Sequence, residues 1–100
     1  MTVYEMRASV TVAAGAGSSI GLNIPGGIIR QVLIRANTDT TVFRANLVDA
    51  SGLTRANWGY ETHELNDQSM QMAVAGSLAL NITNASPNDP FTTLIAVQEA

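Results

Sequence analysis

One hundred residues allow a single domain, and with 46% of them hydrophobic and no cysteine, stability has to come from packing or from association. A net charge of -3 with no lysine argues against a general binder of the nucleic-acid backbone, which relies on clustered Lys and Arg. There is no basic segment followed by an apolar run, and no apolar stretch of about 18 residues, so the composition points to neither secretion nor a membrane span.

Tyr4, Met6, Ala8, Val10 and Val12 alternate with Glu5, Arg7, Ser9 and Thr11, the period-2 pattern of a strand with one apolar face. Ala13 to Ser19 is a small-residue connector whose glycines lack phosphate-loop spacing. Ile20, Leu22 and Ile24 predict a second strand ending at Pro25-Gly26-Gly27. From Ile28 to Ala36 both parities are apolar, with Ile28, Val32 and Ile34 on one and Ile29 and Leu33 on the other, as in a central strand covered on both sides. After the turn Asn37 to Thr40, Val42 to Asp49 predicts a strand with Phe43, Ala45 and Leu47 inward and Arg44 and Asn46 outward.

Asp49 to Gly52 reads as a plain turn, because the acidic ligands of a calcium loop are missing from the positions that follow. Arg55 to Thr62 is a more polar strand with Trp58 and Tyr60 on one face and Asn57, Gly59 and Glu61 on the other; Leu65 to Ser69 is a polar connection. Met70, Met72 and Val74 predict one more strand. The strongest local signal is Ser77 to Val97, where two alternating runs flank the turn-rich Asn84 to Pro90 and predict a β-hairpin. The spacing gives about eight short strands, hence an all-β, single-domain antiparallel β-sandwich over 1–100, jelly-roll-like or Ig-like. Residues 1–5 read as a flexible terminal segment that a partner ties down, with Tyr4 in the contact.

Charged residues make up 13% of the chain, against roughly 25% in an ordinary soluble domain. Surfaces destined for burial in an assembly shed charge because desolvating an unpaired charge is costly, so this surface reads as contact surface, with compositional bias as the alternative. Arg-Ala-Asn recurs at Arg35, Arg44 and Arg55, and on neighbouring strands these guanidinium groups would form a row able to grip carboxylates or phosphates on a partner; chance recurrence, with each arginine solvated or locally paired, is the plainer alternative. Trp58 and Tyr60 are either a platform for sugars or a partner, or large core residues.

Reactive constellations are sparse. A single histidine, His63, beside Glu61, Glu64 and Asp67 does not supply a zinc ligand set, and no metal or cofactor is expected. Glu61 and Glu64 sit too close in sequence on a small sheet to read as a glycosidase pair, and no Gly-x-Ser-x-Gly elbow occurs, so no enzyme is expected.

From Thr41 to Glu99 the chain resembles the small β-sandwich virion proteins of tailed bacteriophages. The resemblance rests on the strand Val42 to Asp49 turning at Asp49-x-x-Gly52, on the strand Leu78 to Ala85 ending in Asn-Ala, and on a last strand ending in Val97-Gln-Glu99. It implies a head decoration or cement protein located in the virion, a homo-oligomer whose partner is the major capsid protein or another virion subunit. A carbohydrate- or receptor-binding module of a tail or fibre is the second expectation.

Overall fold

The computed structural model describes residues 2–99, and alternation becomes strand wherever the sequence carries it. Among these residues seven strands form: β1 (Val3–Val12), β2 (Gly17–Ala36), β3 (Val42–Asp49), β4 (Thr54–Thr62), β5 (Glu64–Asp67), β6 (Met72–Ser86) and β7 (Asp89–Glu99). Every pairing is antiparallel, in the order β1-β7-β2-β6-β3-β4, with β5 also on β2. The radius of gyration, 13.0 Å, is that of one folded unit of this length, for which about 13 Å is expected.

Strand β2 organises the rest. Its first half pairs with β6, its second half with β7 and β5, and the register slips between Ile24 and Gly27. The sheet therefore folds over at this bulge into two layers, β1-β7-β2-β5 and β2-β6-β3-β4, as bulged strands do when they turn a corner. Gly27 is required at the bend: a Cβ there would lie 2.6 Å from the Gln98 carbonyl oxygen and 3.0 Å from Val97. The core lies between the layers, where Phe43 of β3 meets Phe91 of β7 edge-to-face, centroids 5.2 Å apart at 77°. Around them Ile24, Ile29, Ile34, Leu47, Leu80, Ile82 and Ile95 are all fully buried.

The all-β sandwich is as the sequence predicts, but its connections differ. Pro25-Gly26-Gly27 and Ala75-Gly76-Ser77 are bends inside β2 and β6 and end no strand, because the chain stays paired on both sides of each. Four predicted strands thus merge into two, and the polar connection after His63 proves to contain β5, which gives seven strands. The strands of the expected hairpin both exist, yet β6 and β7 do not pair; β2 lies between them, and the segment after Asn84 crosses from one layer to the other. A second slip, between Ile29 and Gln31, turns Ile29 inward with Val32 and Ile34 and leaves Ile28 and Leu33 half-buried on an outer face. Only the inner side of β2 is therefore fully covered.

Of the terminal segment, Val3 to Glu5 belong to β1, opposite Gln98 to Ala96; Met1 lies outside the described residues.

Candidate functional site

The outer face of the layer β2-β6-β3-β4 carries the most regular polar surface. Register places Ser19, Asn81, Asn46 and Asn57 opposite one another across four strands. Ser19 Oγ donates to Asn81 Oδ1 at 2.6 Å, and Asn81 Nδ2 donates to Asn46 Oδ1 at 2.9 Å. The neighbouring row runs Gly17, Thr83 and Arg44. Arg44 is the only charge in the two rows, and its guanidinium lies 5.1 Å from the centroid of the Tyr60 ring. Arg44, Asn46, Asn57, Tyr60, Asn81 and Thr83 enclose a shallow cleft of about 300 Å³.

A bulge decides what Tyr60 and Trp58 do. Phe43 faces Glu61 while Ala45 faces Trp58, so β4 spends one residue more than β3 between these pairs. The strict alternation of the sequence would keep both aromatics on one face; the extra residue separates them. Trp58 turns inward, half-buried against the core, and its Nε1 donates to Asp67 Oδ2 on β5 at 3.1 Å. Tyr60 turns outward and is 65% exposed. The hydrogen bond from Trp58, with those from the Ser69 main chain and hydroxyl, holds the Asp67 carboxyl below the usual carboxylate range.

The three arginines do not form one row: the folding over of the sheet parts Arg35 from the other two, and Arg44 and Arg55 turn to different partners. Arg35 lies on the second half of β2, in the other layer, with Glu64 Oε1 accepting from its Nε at 3.0 Å and its Nη2 at 2.6 Å. This pair is exposed and adds little stability. Arg55 donates through Nη2 to the Ala73 carbonyl at 2.9 Å. Arg44 keeps to Tyr60. Tyr4 is half-buried on the inner face of β1 and packs against the core.

A buried polar clamp closes one end of the sandwich, built on Asp89 and Asn84, which the sequence shows only as turn formers. Asp89, 2% exposed, accepts from the Thr38 N–H at 2.8 Å and the Thr41 hydroxyl at 2.7 Å through Oδ2, and from the Thr38 hydroxyl at 3.1 Å through Oδ1. Burial pushes its pKa up, but the hydrogen bonds from Thr41 and Thr38, with the Asn37 main chain close by, outweigh this and leave the carboxyl below its ordinary range. Asn84, fully buried, donates to the Val12 and Pro87 carbonyls and accepts from the Ser86 N–H. His63, with φ 69, completes this end: its N–H donates to the Thr41 carbonyl, and its own carbonyl accepts from Ala36. Both Asp89 oxygens are committed to holding loops, which makes this carboxylate structural.

The fold recurs in viral and pilus subunits. A component of the cyanophage Pam1 capsid asymmetric unit superposes with a TM-score of 0.61 at 17% identity, covering 98% of this chain and 85% of that one. The subunit of Bacillus endospore appendages, disulfide-linked pili, gives 0.59 at 13% identity over 99% and 90%. The Yersinia pseudotuberculosis-derived mitogen gives 0.62 at 10% identity over 97% and 88%. No protein-family profile matches the sequence, and no curated protein does. At these identities the likeness is one of fold.

Proposed function

We propose that this protein is a structural virion subunit, a decoration or cement protein that self-associates and binds a viral shell. The observation that carries the reading is the outer face of β2-β6-β3-β4, where ordered amide and hydroxyl rows hold a single charge. Asn and Ser side chains offer both donors and acceptors, so such a face can be covered by another protein without stranding a charge. The fold shared with a cyanophage capsid component and a pilus subunit supports the same reading. Tyr60 and Arg44 form the contact centre in this proposal, while Arg35 lies in the other layer, Arg55 is tied to the Ala73 carbonyl, and Tyr4 and Trp58 pack against the core from within. The partner is the major capsid protein or another virion subunit, and no nucleic acid, membrane, metal or cofactor is involved.

The test is co-sedimentation with shells of the major capsid protein of the same virus. The wild-type chain should travel with the shell, and Asn46→Asp or Asn57→Asp, which add a carboxylate that a covering partner must desolvate, should weaken binding about tenfold without lowering the melting temperature. A chain that leaves every such shell bare would refute the proposal.

One observation favours a glycan-binding module instead: Tyr60 is exposed beside Asn46 and Asn57, an aromatic face next to amides. Loss of binding to host-surface polysaccharide in Tyr60→Ala, with shell binding intact, would select that alternative.

A further inference from the structure

We infer that β1 pairs antiparallel with β1 of a second copy, about a two-fold axis passing beside Met6. This deepens the self-association in the proposed role and does not depend on what shell is bound. Strand β1 bonds to β7 on one side only, and its ten residues run without a bulge. The Thr2 carbonyl accepts from the Glu99 N–H at 2.8 Å, so Thr2 and the even-numbered residues turn their main chain toward β7. The main-chain groups of Val3, Glu5, Arg7 and Ser9 therefore face away, along an open edge.

The usual guards of such an edge are lysine, proline and bulges. Strand β1 has none of them, whereas β4 is bulged against β3, β5 is four residues long, and the first half of β2 carries Gly17 and Gly21 and ends in a bulge. What β1 does carry is one charge of each sign, Glu5 and Arg7, two residues apart on the outer face, with side chains 48% and 70% exposed and 2.7 Å from each other. Such a pair does not block self-pairing; it selects the register. With the axis at Met6, Glu5 faces Arg7 of the second copy, Arg7 faces its Glu5, and Val3 faces Ser9. With the axis at Glu5 or at Arg7, that charge would face itself, and an axis between two residues would set apolar inner positions against polar outer ones.

The main-chain parity agrees with the same register. Glu5 and Arg7 are the residues whose N–H and C=O groups point outward, so they form hydrogen-bonded pairs across the axis, while Met6 meets Met6 in a non-hydrogen-bonded pair. On the inner side Tyr4, Met6 and Val10 are only half-buried in one copy, and a second copy alongside would cover their open flank. The product is one continuous sheet, β5-β2-β7-β1 joined to its two-fold mate.

The native chain contains no cysteine, so the test is direct. Met6→Cys should form a disulfide-linked dimer under mild oxidation, because the Cα separation of a non-hydrogen-bonded pair, about 4.5 Å, suits a disulfide. Ser9→Cys, which would face Val3, should stay monomeric on the same gel. In sedimentation equilibrium Glu5→Arg and Arg7→Glu should each weaken the dimer about tenfold, and the double swap Glu5→Arg/Arg7→Glu should restore it. Circular dichroism of each variant should match wild type, which separates loss of pairing from loss of fold. A wild-type chain that sediments as a monomer overturns the inference, as does a double swap no tighter than the single variants. A monomer that reaches a shell through β1 would likewise replace the second copy with a capsid strand. Loss of shell binding with the dimer intact would instead count against the decoration role alone.

Discussion

Replacing Asp89 with Asn tests whether the buried clamp holds the open end of the sandwich. The carboxylate receives three hydrogen bonds, from the Thr38 N–H, the Thr38 hydroxyl and the Thr41 hydroxyl, at 2.8, 3.1 and 2.7 Å. Asparagine keeps the shape and one acceptor oxygen but loses the charge, and it aims an NH2 at a hydroxyl that must rotate to receive it. Hydrogen bonds to a charged group contribute about 1.5 to 3 kcal/mol each, and part of that survives, so the expected loss is about 2 kcal/mol. Alanine leaves the Thr38 N–H and Thr41 hydroxyl unpaired in a buried site and should cost about 3 to 5 kcal/mol. For a domain of this size, 2 kcal/mol lowers the melting temperature by roughly 8 to 16 °C.

The pH dependence gives an independent readout. The Asp89 pKa is lower in the folded than in the unfolded chain, so its contribution is fully present above the unfolded value, about 3.9, and is lost as the pH falls from there through the folded value. Asp67 and Asp49 are depressed in the same direction, the first mainly by Trp58 and the second mainly by the Ser51 hydroxyl, and they keep part of the acid limb in any Asp89 variant. Urea melts of wild type and Asp89→Asn between neutral pH and the acid limb should therefore converge as the pH drops. An Asn variant within about 0.5 kcal/mol of wild type at neutral pH, or one separated from it by a constant gap down the acid limb, would refute the clamp as described.

In the core, Leu80→Ala and Ile95→Ala should each cost about 2 to 5 kcal/mol in urea denaturation, since both side chains are fully buried between the layers. Trp58→Ala should cost about 2 kcal/mol and weaken the acid limb through Asp67, whereas Tyr60→Ala should stay within about 0.5 kcal/mol; equal melts would mean that the bulge in β4 does not separate the two rings. Gly27→Ala should destabilise by about 1 to 3 kcal/mol because its Cβ meets main-chain atoms of β7 at the bend, while Gly21→Ala, which meets nothing within 4 Å, should be nearly neutral in the same melts.

Much of this molecule is legible in local pattern. Alternation by itself determined that the chain is all-β, where most of the strands run, and which side of β3 and of β1 turns inward, because side chains on a strand point alternately to the two faces whatever the strand pairs with. Composition determined that the surface would be short of charge. The turn chemistry of Asn84 and Asp89 was visible, but not its use, since the same residues suit a hairpin or a crossover tied to distant loops.

Only the tertiary structure decided pairing and face. Whether Pro25 to Gly27 ends a strand or bends one depends on β6 and β7 lying on either side of it. Whether Trp58 and Tyr60 share a face depends on one extra residue in β4 opposite β3. Arg35 was parted from Arg44 and Arg55 by the folding over of the sheet, although their spacing suited neighbouring strands. The physical reason is common to all three: a bulge shifts parity by one residue and a crossover exchanges partners, and both are set by contacts between segments far apart in the chain, which no local period records.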